Sequence, residues 1–146
     1  EESLTCFEKA LELDPKNAAM WTNKGNVLRN LGKREEAIKC FDKAIELDPN
    51  LMRSWQLKGE ILGGLKKYEE ALKCWDKVIE FDPKNWDALY NKGAMLVNSG
   101  KLEEGLKCFE KVEELDPSDE ELKERTKEII KKIKKATQKK SFWRRS

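Results

Sequence analysis

The sequence predicts an all-α fold, a solenoid of stacked helical hairpins, and three observations carry that prediction. Pro15, Pro49, Pro83 and Pro117 recur every 34 residues, each after an Asp in "LDP" or "FDP". A fixed period of about 20–50 residues marks a repeat array. Before each proline the apolar residues keep helical spacing: Leu4, Phe7 and Leu11, then Ile38, Phe41 and Ile45, then Leu72, Trp75 and Ile79, then Leu106, Phe109 and Val112. Such spacing gives one apolar stripe on a helix. No segment alternates apolar and polar residues as a half-buried strand would.

The elements follow in order. Residues 1–17 hold a second helix and its proline, without the first helix it should pack on. Residues 18–51, 52–85 and 86–119 are complete units. They open with "AAMWTNKGNVLRNLG", "MRSWQLKGEILGGLK" and "WDALYNKGAMLVNSG", each helically spaced and each stopping at Gly or Lys. A second helix follows, and the proline closes it because it cannot continue the helix and disfavours helical geometry in the residue before it. Glu35/Glu36, Glu69/Glu70 and Glu103/Glu104 open these second helices, where negative charge meets the positive end of the helix dipole. The stretch "SDEELKERTKEIIKKIKKATQKK" then places Ser118 and Glu121 as a capping box and Leu122, Ile129, Ile130 and Ile133 on one face,. It reads as a capping helix over 119–138, followed by a basic tail, 139–146.

Composition fits one soluble domain: 146 residues, 40% charged, with no run near the ~20 apolar residues of a membrane span,. The chain begins at Glu1 and reads as a piece of a longer one. Its charge is divided. Residues 1–122 carry 19 Lys and Arg against 26 Asp and Glu, and residues 123–146 carry 11 against 2, so an acidic body ends in a basic tail.

Gly25, Gly59 and Gly93 lie inside the first helices, where glycine costs about 1 kcal/mol relative to alanine. Close helix approach is the compensating gain. Small Ala37 and Ala71 serve the same end from the second helices. With these residues the chain resembles the tetratricopeptide repeat, W-x2-L-G-x2-Y, then A-x3-F, then A and P. Residues 18–51 supply Trp21, Gly25, Ala37, Phe41, Ala44 and Pro49; residues 52–85 supply Trp55, Gly59, Ala71, Trp75 and Pro83, with Val78 for the second Ala. Residues 86–119 keep Gly93, Phe109 and Pro117, with Leu89, Gly105 and Val112 elsewhere. Lys24, Lys58 and Lys92 replace the pattern's Leu, and Leu28, Leu62 and Leu96 its Tyr. The resemblance implies a right-handed superhelix whose first helices line a concave groove.

Cys6, Cys40, Cys74 and Cys108 occupy one repeat position, each just before the core aromatic. Structural zinc sites bring ligands in close pairs, and the chain has no His,. A disulfide needs Cα atoms within about 7 Å, closer than neighbouring packed helices at about 8–10 Å. These thiols therefore read as reduced packing residues, which favours a reducing, cytoplasmic compartment.

No nucleophile and base can be assembled from these motifs, so the expectation is a binding module without cofactor, not an enzyme. In the resembled family the groove is built by recurrent first-helix positions. Here they are Ala19, Thr22, Asn26, Arg29 and Asn30, then Arg53, Gln56, Glu60, Gly63 and Gly64, then Asp87, Tyr90, Ala94, Val97 and Asn98. They vary while the packing residues repeat, so a protein or peptide partner is expected on Thr22, Asn26, Arg29, Arg53, Gln56, Glu60, Asp87, Tyr90 and Asn98. The family's chaperone-tail clamp is not expected: on the three complete repeats only Asn26 fits it while Thr22, Leu57, Asp87 and Asn91 occupy its other places, and with an upstream helix supplying the first two places Asn23 and Arg53 would fit but Leu57 would not. The alternative partner is nucleic acid or another polyanion on the basic C-terminal helix and tail, with Phe142 and Trp143 to stack on bases. Leu4 and Phe7, lacking a first helix to cover them, give a further expectation: fraying, or self-association through the uncapped N-terminal helix.

Overall fold

The computed structural model describes the backbone of residues 2–145 and the side chains of residues 4–139. The described residues form α1 (Glu2–Leu13), α2 (Ala18–Asn30), α3 (Arg34–Leu47), α4 (Met52–Gly64), α5 (Tyr68–Phe81), α6 (Trp86–Asn98), α7 (Leu102–Leu115) and α8 (Glu120–Arg145), and no strand. This is an all-helical α-solenoid architecture. None of these helices is long and apolar enough to cross a membrane. The chain divides into two compact units, one holding α1 to α5 and the other α6 to α8.

In the first unit α2 pairs with α3 and α4 with α5; α1 packs on α2, α3 on α4, and α2 also meets α4. Leu28, Ala37, Cys40, Phe41, Leu57 and Ile61 form a buried cluster, edged by Leu4, Trp21, Ile38 and Leu65. The interior glycines have the role their positions predict. A Cβ on Gly25 would stand 2.7 Å from the Phe41 ring, and one on Gly59 would stand 3.0 Å from Trp75. The helix gives up propensity there, and a fully buried aromatic returns about 1.5–3 kcal/mol of hydrophobic stabilisation.

In the second unit α6 pairs with α7, and α8 packs on α7. Gly93 faces Phe109 in the same way, with a virtual Cβ at 3.1 Å. Gly105 stands where the earlier units have Ala37 and Ala71, and here alanine would not fit. Its Cβ would meet the Val97 side chain at 2.7 Å and the Gly93 carbonyl oxygen at 3.0 Å. Backbone thus approaches backbone between α6 and α7. Ile130 and Ile133 of α8 close over Phe109, with Tyr90, Leu102, Leu106 and Ile129 at the margin.

Helix ends repeat with the same period. After α2, α4 and α6 the chain turns through Gly32, Lys66 and Gly100 at φ of 77°, 60° and 86°. Each turn makes the paired bonds of a Schellman motif, such as Lys33 N–H to the Leu28 carbonyl and Gly32 N–H to the Arg29 carbonyl,. Helix starts repeat too. The Asn17 side chain accepts from the Met20 N–H and that of Asn85 from the Ala88 N–H, while Leu51 offers α4 no side-chain cap.

Two expectations for the C-terminal helix are corrected. Its cap is Asp119, whose carboxylate accepts the Leu122 N–H at 3.0 Å, and not Ser118; the repeat register, one period beyond Asn85, decides between the two neighbours. The helix also runs to Arg145, past the expected end at 138. No Gly or Pro interrupts 119–145, and lysine and arginine are good helix formers. The side chains of Phe142 and Trp143 lie outside the described residues.

Candidate binding face of the first helices

In the first unit the predicted residues lie on α2 and α4. On α2, Thr22, Asn26 and Arg29 follow i, i+4, i+7 spacing, and on α4, Arg53, Gln56 and Glu60 follow i, i+3, i+7 spacing, so each set shares one helix face. The two faces are tied together twice. The Thr22 hydroxyl donates to the Ala18 carbonyl at 3.0 Å and stands 2.6 Å from the Ser54 hydroxyl, which therefore supplies the proton of that bond. About two helical turns further along the same face, Arg29 Nη1 donates to Glu60 Oε2 at 2.6 Å.

These ties sort the expected site residues. Thr22 is buried, so it joins α2 to α4 and presents no side chain at the surface. Arg29 and Glu60 are partners of one another. Arg53 is exposed and Gln56 half-buried. Asn26 lies between the two ties, and among the described residues its Oδ1 is buried without a hydrogen-bond partner. A buried acceptor left unpaired costs about 1–3 kcal/mol, so Asn26 is held in place at an energetic cost.

On α6 of the second unit, Asp87 and Asn98 are exposed. The Asp87 carboxyl has its pKa raised by desolvation, an effect opposed by the hydrogen bond from Asn91. Tyr90 is half-buried, with its ring edge-on to Phe109 at 5.3 Å between centroids. Its ring is therefore part of the packing as well as of the α6 surface.

No disulfide joins the four cysteines: Cys40 and Cys74 are buried, Cys108 is partly covered and Cys6 is exposed. Burial pushes the Cys40 thiol pKa up, and that of Cys74 up to about 11, while Lys24 and Lys58 respectively pull the other way. Both remain protonated near neutrality, which suits packing and not nucleophilic attack. Among the described residues no three His, Cys, Asp or Glu side chains are grouped to hold a metal.

Three contacts were not foreseen from the sequence. The indole N–H groups of Trp21 and Trp55 donate to the Pro15 and Pro49 carbonyls, both at 3.0 Å, which gives the repeated tryptophan a polar as well as an apolar role. Lys24 pairs with Glu8 at 3.1 Å and Lys58 with Asp42 at 2.6 Å. That column had a readable signal, an acid 16 residues before each lysine. The Thr22–Ser54 tie had none, being two small polar residues at an unremarked separation.

Tetratricopeptide-repeat models match residues 18–51 and 86–119, 59–100 and 40–73. The chain belongs to the tetratricopeptide-repeat family. A protein prenyltransferase alpha subunit repeat model also matches residues 1–31, a span of α1 and α2. No curated protein matches the chain in sequence. Among solved structures this tetratricopeptide-repeat chain resembles MamA 41-end from Desulfovibrio magneticus RS-1, with TM-score 0.78 and 24% identity over 95% of this chain and 86% of that one. It also resembles the MamA RS-1 ArsTM double mutant, with TM-score 0.77 and 23% identity over 94% and 86%. The first tetratricopeptide-repeat domain of Spaghetti (RPAP3), bound to the HSP90 peptide SRMEEVD, superposes with TM-score 0.72 and 28% identity over 85% and 95%.

Proposed function

We propose that this tetratricopeptide-repeat chain is a protein-interaction scaffold that holds a peptide or helix of a partner on the face of α2 and α4. The observation that carries the reading is Asn26. Its side-chain amide offers both an acceptor and donors, its Oδ1 is buried and unpartnered, and the Thr22–Ser54 and Arg29–Glu60 ties hold the helices on either side of it. A peptide backbone carbonyl is the natural complement of its side-chain N–H donors, and exposed Arg53 and half-buried Gln56 add contacts along the same face. The peptide-bound RPAP3 domain lends the reading support as a similar protein.

The ligand differs in chemistry from that acidic chaperone tail. Where the clamp requires cations and amides, this chain has buried Thr22, buried Leu57, acidic Asp87 and Asn91, whose amide is bonded to Asp87. Peptides selected against the purified chain by display panning test the proposal. They should lose at least about tenfold in affinity for Asn26→Ala, the order expected for one hydrogen bond inside an excluded site, with no loss in melting temperature. Selected peptides that bind Asn26→Ala and Arg53→Ala as tightly as the parent would contradict it.

A further inference from the structure

The cleft between α7 and the C-terminal half of α8 carries charge that the fold does not use. Residues 129–139 contain five lysines and no acid. Thr126, Ile130 and Ile133 turn toward α7 and are buried. One residue further round the helix, Lys127, Lys131, Lys134, Lys135 and Gln138 line a cleft of about 410 Å³, with Ile130 at its base and Glu113 on the α7 wall. Lys127 is held by Glu124 at 2.9 Å and Lys134 by Glu110 at 2.8 Å. Among the described residues, no carboxylate lies within ion-pair reach of Lys131 or Lys135.

We propose that this cleft is a second docking surface, separate from the α2–α4 face, which takes an acidic peptide segment of a partner protein with one apolar side chain between its carboxylates. Lys131 and Lys135 stand one helical turn apart, about 5–6 Å between Cβ atoms. Carboxylates spaced by a turn of helix, or on alternate residues of an extended segment, reach both. The apolar side chain then meets Ile130 and the aliphatic stems of the lysines, which cover carbon surface while their ammonium groups stay at the rim.

The lining disfavours the other anionic partners. It offers no aromatic ring or arginine plane on which a base could stack. For a membrane, the apolar residues Ile129, Ile130 and Ile133 that would insert are already packed in the α7–α8 core.

The test is fluorescence anisotropy at low ionic strength with three labelled probes: a synthetic Asp/Glu peptide with one central Leu, the same peptide with Ser for Leu, and a short uridine oligonucleotide. The Leu peptide should bind most tightly, and its affinity should fall steeply with salt. The exposed double variant Lys131→Glu/Lys135→Glu should bind it at least about tenfold more weakly while melting like the parent. Lys131→Arg/Lys135→Arg should keep the affinity, and so should Arg53→Ala, which separates this surface from the α2–α4 face. The proposal is overturned if the Leu peptide does not bind, if the charge-reversed variant binds it as well as the parent, or if the oligonucleotide binds more tightly than either peptide.

Discussion

Residues 18–51 and 52–81 hold two versions of one repeat inside the same unit, and they reach the same geometry with different local chemistry. The first starts α2 with an Asn17 side-chain cap and ends it at Gly32 in the left-handed region. The second starts α4 at Leu51, with no side-chain cap, and ends it at Lys66, a non-glycine residue at φ 60°. Both nevertheless form a 13-residue first helix and a 14-residue second helix. Interior packing must therefore fix the helix boundaries. In both, a glycine admits an aromatic ring from the second helix and the tryptophan N–H holds the preceding proline carbonyl. Caps and turns contribute stability without choosing the fold.

The largest expected effect breaks the shared core. Phe41→Ala and Trp75→Ala should each cost about 3–5 kcal/mol, the range for a fully buried aromatic, read from denaturant midpoints. The two repeats separate at the next step. Trp75 Nε1 is buried without a partner among the described residues, whereas a phenylalanine already serves at position 41. Trp75→Phe removes an unpaired donor along with some volume, so it should cost less than about 1.5 kcal/mol, within the range of a tolerated apolar exchange. A loss near that of Trp75→Ala would show that the indole nitrogen is bonded.

The repeats also differ in their thiols. In the unfolded chain a cysteine titrates near 9, while in the folded chain Cys74 is raised to about 11. Between these values the unfolded state gives up the proton and the folded state keeps it. The stabilising contribution is thus fully present below pH 9 and is lost as pH rises toward 11, by about 2–3 kcal/mol in all. Urea melts across this window should show a steeper decline for the parent than for Cys74→Ala. Parallel curves would mean that the Cys74 thiol titrates alike in both states. Cys40, raised in the same direction by burial, should give a decline of the same sign.

The smallest effects sharpen the comparison by exchanging the local devices. Lys66→Gly removes a left-handed non-glycine residue and should stabilise by about 1 kcal/mol; Leu51→Asn supplies a missing cap and should add about 0.5–1 kcal/mol. The reverse changes, Gly32→Lys and Asn17→Leu, should cost similar amounts. Thermal melts of the four variants check this, and equal, null shifts at both repeats would show that the ends are set entirely by packing.

What was legible in the sequence follows the same division. Columns that repeat because one packing contact repeats, such as Gly25, Gly59 and Gly93 or Phe41, Trp75 and Phe109, can be read without coordinates. Contacts joining one repeat's side chain to a non-equivalent one in the next cannot. Thr22 was expected at the binding face because its position varies, but Ser54 happens to be small and polar, and the pair became a buried tie. The Asp119 cap was missed for the opposite reason: the local motif at Ser118 was read on its own, although the period pointed one residue further. Of the proposed binding face, the helical spacing that puts its residues on one side of α2 and of α4 was readable, but the state of Asn26 was not, because an unpaired atom depends on every neighbour around it.

The measurement that tests the central claim most directly is an amide NMR titration of the parent chain with a peptide selected by panning. The account predicts that the largest shifts fall in residues 18–30 and 52–64 of the two first helices, with the Asn26 side-chain amide among them and α3 and α5 little changed. Shifts confined to the second helices or to α8, with the Asn26 amide unmoved at saturation, would contradict it.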